Sequence, residues 1–156
     1  MKLVKHYMKK KVIKVSPTDS IFKVIKLLSK HHIAGVPVVK NKRVMGIITE
    51  TDLIKFIKMD VQKTHSEFMT EPHSMSIVMM ALIKNHLSTK RRLSNLSRVK
   101  VNDFMSENVI SINSNESIIE AANVFDQNHI DRLPVIDDGK LVGIITRTDL
   151  IRALLD

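Results

Sequence analysis

Two short segments of the sequence carry threonine and aspartate side chains where an apolar run ends and a helix could begin. Their polar residues are Thr49, Thr51 and Asp52 in one segment and Thr146, Thr148 and Asp149 in the other. The start of a helix offers free backbone amides and a partial positive charge, which suit a phosphate. A carboxylate in the first turn can accept two hydrogen bonds from a ribose diol. Both segments therefore have the groups needed to bind the sugar and phosphate of a nucleotide.

The same residues also have a purely structural interpretation. Thr and Asp are common at helix N-termini, where their side chains accept hydrogen bonds from free amides. Thr51 and Asp52 could therefore do no more than cap the helix that follows. One such segment alone would favour capping, whereas its duplication, together with the family resemblance described below, favours ligand binding by Asp52 and Asp149.

The two segments belong to an internal repeat. An ungapped offset of 97 residues aligns residues 4–59 with 101–156, and 18 of the 56 aligned positions are identical. A match of this length without gaps indicates a duplicated unit. We therefore divide the chain into a first repeat (1–59), a linker (60–100) and a second repeat (101–156).

Each repeat is expected to fold in the order β-α-β-β-α, which makes the fold class α/β (α+β). A short β-rich run at 12–15 or 109–112 precedes a helix that has apolar residues three and four positions apart, at Ile21, Val24, Ile25 and Leu28. Strands at 36–39 and 44–48 follow, and a last helix starts near Thr51 or Thr148. We expect the two repeats to pack as a pseudo-two-fold pair with a helical linker insertion.

Two local patterns support these elements in the second repeat. Ser117 and Glu120 have the spacing of a capping box, in which both side chains bind free amides of the helix start. Asp138-Gly139 predicts a tight hairpin turn between the two strands.

The duplicated segments 46–52 (Gly-Ile-Ile-Thr-Glu-Thr-Asp) and 143–149 (Gly-Ile-Ile-Thr-Arg-Thr-Asp) resemble the signature of the cystathionine-β-synthase (CBS) domain. The runs 36–39 (Val-Pro-Val-Val) and 133–136 (Leu-Pro-Val-Ile) are similar to the second strand of that family. The resemblance covers nearly all of the chain outside the linker. It implies a tandem CBS pair, or Bateman module. Such a module is regulatory, not an enzyme, and binds AMP, ADP, ATP or S-adenosylmethionine between its repeats, as in energy sensing.

The resemblance also implies the rest of the pocket. In similar proteins the adenine lies against the start of the first helix and the backbone that leads into the second strand. The matching positions are Ser16, Ile21, Ile33 and Ala34 in the first repeat, and Asn113, Ile118, Ile130 and Asp131 in the second. Each of these residues could equally be ordinary core packing.

Arg132 is the most informative difference between the repeats. The run 131–136 resembles the His-Arg-Leu-Pro-Val-Ile run in the gamma subunit of AMP-activated protein kinase, where the basic residues meet nucleotide phosphates. A guanidinium can bind phosphate in bidentate fashion. The first repeat has Ala34 and Gly35 at the matching positions and offers no charge, while Asp131 would repel phosphate. Alternatively, Arg132 pairs with a surface carboxylate.

The composition excludes several chemistries. The chain has no Cys, which removes disulfides, thiolate catalysis and Cys-based zinc sites. His31-His32 has no neighbouring ligands to complete a metal site, so no metal is expected. Because no secretory signal or membrane-spanning run is visible, we expect a cytoplasmic protein.

The charge is unevenly spread and suggests partners. Residues 1–59 carry 14 basic and 3 acidic side chains, whereas residues 101–156 carry 4 basic and 10 acidic ones. We therefore expect a homodimer in which a basic repeat faces an acidic one, head to tail.

In the linker, 75–86 is a candidate helix, and Lys90-Arg91-Arg92 is either solvated or a phosphate-binding patch.

The adenosyl ligand, the homodimer and an unidentified effector protein acted on in trans are thus the expected partners. The alternative is a nucleic-acid-binding protein that uses the basic first repeat and the linker.

Overall fold

The computed structural model describes residues 1–62 and 96–156, and we number its elements in chain order within those ranges. The helices are α1 (Val4–Tyr7), α2 (Ile21–His31), α3 (Glu50–Gln62), α4 (Ile118–Asn128) and α5 (Arg147–Ala153), with a 3-10 turn at Val101–Asp103. The strands are β1 (Gly35–Lys40), β2 (Arg43–Thr49), β3 (Arg132–Asp137) and β4 (Lys140–Thr146). Within these ranges no helix is both long enough and apolar enough to cross a membrane. The expected α/β class is confirmed.

The four strands form one antiparallel sheet in the order β1-β2-β4-β3. Each repeat contributes a hairpin, and the two hairpins meet where Arg43 pairs with Lys140. Their tips also exchange hydrogen bonds, from Val44 N to Gly139 O and from Leu141 N to Lys42 O, at 3.2 Å each. The predicted turn at Asp138-Gly139 is confirmed, with φ of 50° and 76°, because both positions of such a turn need a positive φ.

The β-rich runs before the first helix of each repeat are not full strands, contrary to expectation. Only Val15 and Ile112 form bridges, parallel to Val38 in β1 and Val135 in β3. A run that pairs with the sheet at one residue lacks the successive hydrogen bonds that define a strand.

Only half of the expected capping box exists in α4. The Ser117 hydroxyl accepts from Glu120 N at 3.0 Å, while the Glu120 carboxylate accepts from Asn123.

The repeats exchange their leading segments. Val4 is fully buried in the core of the second repeat, and Val101 is fully buried in the core of the first. Their amides bind the matching loops of the opposite repeat, Val4 N to Glu116 O and Val101 N to Asp19 O, both at 2.9 Å. Each core therefore includes a valine from the other repeat, so a single sequence repeat does not form a complete core.

The isolated bridges reveal the pseudo-two-fold symmetry directly, because they occur in pairs related by the repeat offset. The three pairs are Leu3–Ser117 with Ser20–Lys100, Lys9–Ile144 with Ile47–Ser106, and Val15–Val38 with Ile112–Val135. The predicted linker helix at 75–86 and the basic cluster at 90–92 lie outside the described residues. The division at residues 59 and 101 stays a prediction.

Candidate functional site

Both signature aspartates cap the helix that follows them. In the second repeat Asp149 Oδ2 accepts from Thr146 N at 3.0 Å and from Thr146 Oγ1 at 2.6 Å. In the first repeat Asp52 Oδ2 accepts from Thr49 N and Thr49 Oγ1, both at 2.9 Å. The capping interpretation therefore accounts for one carboxylate oxygen in each repeat. We call Thr49 and Asp52 the first-repeat site, and Thr146, Asp149 and Arg132 the second-repeat site.

The other oxygen of Asp149 is not used by the cap. Asp149 is 1% exposed, and its Oδ1 is buried without a hydrogen-bond partner. Two cations stand at ion-pair distance from it, Lys9 Nζ at 3.8 Å and Arg152 Nη1 at 3.9 Å. In the first repeat one cation lies in the corresponding place, with Lys55 Nζ at 3.9 Å from Asp52 Oδ1. A buried carboxylate oxygen without a donor is costly, so a hydroxyl group of a ligand would relieve it.

Arg132 begins β3 directly opposite Thr146. Leu133 and Ile145, the adjacent residues of the two strands, are buried in the core, so Arg132 and Thr146 lie together on the opposite face of the sheet. Arg132 Nε is buried without a hydrogen-bond partner, and no carboxylate in residues 1–56 or 96–156 forms an ion pair with this guanidinium. The alternative that Arg132 pairs with a surface carboxylate therefore finds no support among the described residues.

The first repeat presents no side chain at the matching place. Gly35 pairs with Thr49 there, and a Cβ on Gly35 would lie close to its neighbours, 3.1 Å from Thr49 Cγ2 and 3.2 Å from Ile48 O. The first-repeat site therefore lacks the cation that Arg132 supplies in the second.

Two exposed threonines, Thr51 and Thr148, lie in the first turns of α3 and α5. They are close in sequence to the capping groups, and their exposure at a helix start leaves them accessible to a phosphate.

The loops that precede α2 and α4 are closed by their own side chains. The Asn113 amide oxygen accepts from Asn115 N at 2.9 Å. Ser16 N donates to Asp19 Oδ2 at 2.8 Å, and Lys23 Nζ donates to the same oxygen at 2.8 Å. Partial burial raises the pKa of the Asp19 carboxyl, but the bonds from Lys23 and Ser16 and the charges of Lys23 and Lys100 outweigh it, so this pKa lies below its ordinary value.

The apolar pocket residues divide into two kinds. Ile21 and Ile118 are core residues, 0% and 8% exposed, and their amides already donate to Val99 O and Lys2 O at 3.0 Å. They have neither an exposed side chain nor a free amide to offer a ligand. Ile33 and Ile130 are half-buried at the ends of α2 and α4, packed against the cores from their edges.

The residues just before β1 and β3 are exposed and anchored through their backbone. Ala34 O accepts from Glu50 N at 2.9 Å, and Asp131 O accepts from Arg147 N at 3.2 Å. The Asp131 carboxylate pairs with Arg147 Nε at 3.1 Å, which offsets the repulsion that we expected between Asp131 and a phosphate.

Arg147 is a residue that sequence reasoning missed. Besides Asp131, its guanidinium binds Ile130 O at 2.9 Å and Phe125 O at 3.4 Å, which fixes the chain between α4 and β3. It occupies a variable position of the signature, where the first repeat has Glu50, so the motif gave no signal for it.

The signature glycines are the places where the exchanged segments cross the sheet. A Cβ on Gly46 would lie 2.6 Å from Ser106 O, and a Cβ on Gly143 would lie 2.5 Å from Met8 Sδ. Lys9, which follows Met8, pairs with Ile144, which follows Gly143, through two backbone hydrogen bonds of 2.8 and 2.9 Å. The exchange brings Lys9 to Asp149, and nothing in the local sequence around either residue predicts this contact.

Several lysines of the basic first repeat contact the second repeat. Lys2 Nζ donates to Ala153 O at 2.7 Å, and Lys5 Nζ donates to Asn115 Oδ1 at 2.9 Å. Some basic side chains of the first repeat are therefore bound by the second repeat of the same chain, and nucleic-acid binding stays a prediction.

Among the described residues no three His, Asp or Glu side chains come together as a metal site. His32 instead ends α2 with a left-handed φ of 50°, as His129 ends α4 with 52°.

The fold and the paired helix-capping sites define a CBS pair. The CBS domain family model matches residues 4–59 and 101–156, and the chain belongs to that family.

Its relatives include uncharacterized proteins and solved CBS pairs. MJ1426 of Methanocaldococcus jannaschii is 38% identical over 160 residues, which cover 98% of this chain and 91% of that protein. The chain spans only 50% and 37% of two further relatives from the same organism.

Two solved structures share the fold over almost their full length. CBSX2 of Arabidopsis thaliana, solved in complex with AMP, has a TM-score of 0.70 at 23% identity. The match covers 99% of this chain and 97% of the CBSX2 chain. The CBS domain pair of MJ0100, solved with 5′-methylthioadenosine and S-adenosyl-L-methionine, has a TM-score of 0.64 at 26% identity and covers 99% and 96%.

Proposed function

We propose that this chain is a regulatory module that binds an adenosine-containing ligand (AMP, ADP, ATP or S-adenosylmethionine) and acts on a partner protein in trans. The observation that carries this proposal is the pair of buried polar atoms without partners, Asp149 Oδ1 and Arg132 Nε. The first is an acceptor that a ribose hydroxyl would satisfy, and the second is a donor that a phosphate oxygen would satisfy. Arg132 begins β3, and Asp149 lies in the first turn of α5, which follows the end of β4.

The relatives support the same ligand class. Methylthioadenosine and S-adenosylmethionine, the two ligands of the MJ0100 pair, share the adenosine group and differ in what is attached to it. An adenosine-binding site in this chain would use the Asp52 and Asp149 carboxylates for the ribose. Thr49, Thr51, Thr146 and Thr148 would meet the groups beyond it, and Ser16, Ile33, Ala34, Asn113, Ile130 and Asp131 would border the adenine. We leave Ile21 and Ile118 out of this site because both are committed to the cores.

The proposed role is regulatory rather than catalytic. The described functional residues cap helices and present cations, and none of them forms the nucleophile and base pair that acyl or phosphoryl transfer by the protein would need.

Calorimetric titration tests the binding proposal. AMP, ATP and S-adenosylmethionine are titrated into the parent protein and into Asp52→Asn and Asp149→Asn, which keep an oxygen for the cap but lose the charge. A charge-assisted bond to a ribose hydroxyl is worth roughly 1.5–3 kcal/mol, so each variant should weaken its site about tenfold or more. Asp126→Asn on the exposed face of α4 is the control and should bind like the parent.

Two results would reject the proposal. One is a parent protein that binds none of the three ligands. The other is a pair of Asp variants that bind every ligand as tightly as the control does. Mass spectrometry of small molecules that co-purify with the protein would identify the natural ligand independently.

We also propose that the chain forms a homodimer through its helices, head to tail. The second repeat exposes apolar side chains on α4 and at the end of α5, at Ile119 (74%), Ile151 (63%), Leu154 (79%) and Leu155 (86%). Burying them against the basic repeat of a second copy would also bring opposite charges together. A cross-linking map that joins Lys23 to Lys23 of the second copy, or a monomer in light scattering, contradicts this assembly.

A further inference from the structure

Lys9 reaches the second-repeat site from the other repeat. Its backbone is fixed by the two bonds to Ile144 in β4, a strand that ends at Thr146, the residue that Asp149 caps. Its ammonium group stands 3.8 Å from Asp149 Oδ1, and the side chain is 58% exposed. Lys9 is thus held at the site by its main chain, while its charged end is still accessible to a ligand.

The pseudo-two-fold symmetry puts Ser106 at the matching place in the first repeat. Ser106 and Ile47 exchange backbone bonds of 2.9 Å each, as Lys9 and Ile144 do at 2.8 and 2.9 Å. The backbone bonds match, so Ser106 occupies in the first repeat the position that Lys9 occupies in the second. The first-repeat site therefore has an exposed neutral hydroxyl where the second-repeat site has a cation.

The two sites consequently differ in how many cations surround the same carboxylate. Each site has one cation from its own helix, Lys55 or Arg152, at 3.9 Å from the carboxylate. The second-repeat site adds Lys9 from the crossing segment at 3.8 Å. Arg132, opposite Thr146 at the start of β3, is a further cation of this site, although it makes no ion pair with Asp149. A phosphate brought beside an aspartate is repelled unless nearby cations compensate, and this compensation is stronger in the second repeat.

We propose that Lys9 is a specificity-determining residue that makes the second-repeat site select phosphorylated adenosyl ligands, whereas the first-repeat site accepts uncharged ones. This inference rests on the proposed adenosyl-binding function and concerns which ligand each site takes. It also means that the first repeat contributes a residue to the selectivity of the second repeat.

The test compares AMP with adenosine, which differ only in the phosphate. Both are titrated into Asp52→Asn, which leaves the second-repeat site as the main binding site, and into the same protein with Lys9→Gln. The matched control is Lys10→Gln, an exposed neighbour that removes an equal charge. Lys9→Gln should weaken AMP about three- to tenfold, a range set by a charge-assisted bond that is partly screened by solvent, and should change adenosine less than twofold.

A gain of function in the other repeat completes the test. Ser106→Lys in an Asp149→Asn background should strengthen AMP binding at the first-repeat site by a similar factor and leave adenosine unchanged. Both variants should unfold at the parent's temperature, since their backbone bonds are retained.

The outcomes separate this inference from the proposed function. If the parent binds neither AMP nor adenosine, the proposed function fails and this inference fails with it. If the parent binds both, an equal loss of AMP and adenosine in Lys9→Gln, or an effect no larger than that of Lys10→Gln, overturns the role of Lys9 alone. Tighter binding of both ligands would show that Lys9 competes with the ribose for Asp149, which also contradicts the proposal.

Discussion

Replacing the two signature glycines with alanine should damage the protein unequally, although they occupy matching positions. Neither Gly46 nor Gly143 is among the residues with positive φ, so alanine is compatible with the backbone at both. What differs is the atom that the new methyl group would meet. At Gly46 it meets Ser106 O at 2.6 Å, and at Gly143 it meets Met8 Sδ at 2.5 Å.

The magnitude follows from whether the neighbour can move. Ser106 O is held by Ile47 N at 2.9 Å, and Ser106 N is bound to Ile47 O at 2.9 Å, so retreat of this backbone strains two hydrogen bonds. Each is worth about 1 kcal/mol net, and overpacking costs about 1–3 kcal/mol. Alanine returns about 0.4–1 kcal/mol by restricting the unfolded chain. We expect Gly46→Ala to lose about 2 kcal/mol.

Gly143→Ala should lose about 1 kcal/mol or less, because the Met8 thioether has three rotatable bonds and can swing away. Lys9 O, at 3.1 Å from the new methyl group, needs to yield only slightly. Equilibrium unfolding in guanidinium chloride, with unchanged slopes, measures both variants.

A second substitution checks the cause. Met8→Ala should reduce the cost of Gly143→Ala, whereas Met105→Ala should rescue Gly46→Ala only in part, because the closest atom there belongs to the backbone. Gly143→Ala that costs as much as Gly46→Ala would refute the reasoning, and so would a full rescue by Met105→Ala.

Two further predictions concern the turns. Lys42 has a left-handed φ of 66° where the second repeat has Gly139, so Lys42→Gly should stabilise the protein by about 0.5–1 kcal/mol in the same unfolding assay, while Lys40→Gly in β1 should destabilise it. The folded pKa of Asp19 lies below its unfolded value of 3.8, so its contribution to stability is complete above that pH and is lost as the pH falls through the folded pKa. Denaturation from pH 6 to pH 2 should show Asp19→Asn less stable than the parent above pH 4, with a difference that shrinks toward pH 2. A constant difference would contradict the role of the Asp19 charge.

The fold was largely predictable because its local signals agree with one another. The helix at Ile21–His31 follows from apolar spacing, and the hairpin at Asp138-Gly139 follows from turn chemistry that only a few residues satisfy. The expected strands at 12–15 and 109–112 failed because β-propensity cannot tell one bridging residue from a paired strand.

The exchange of leading segments could not be predicted from the sequence. An internal alignment shows that Val4 and Val101 are equivalent positions. The same alignment would result whether each valine packs on its own repeat or, as observed, on the other repeat. The role of Lys9 depends entirely on that choice, since it approaches Asp149 only because its segment crosses to the second repeat. Long-range packing, not local pattern, decides this part of the site.

Capping and ligand binding, which were alternatives at the level of sequence, are compatible in the structure because the carboxylate has two oxygens. Oδ2 of Asp149 closes the helix start, and Oδ1 is left over for a ligand. The cap bonds hold the carboxylate in one orientation, which would reduce the entropy that binding must overcome.

The exchange also determines what ligand binding would do to the pair of repeats. The second-repeat site borders a segment of the first repeat, and each core contains a valine from the other, so this site is complete only when the repeats are assembled. A ligand that binds the assembled state alone stabilises it by about 2.7 kcal/mol at a concentration of 100 times its Kd. Under the proposed function, ligand occupancy would therefore be coupled to the association of the two repeats. A regulatory module needs this coupling, because a partner protein can respond to a bound nucleotide only through a surface that the nucleotide stabilises.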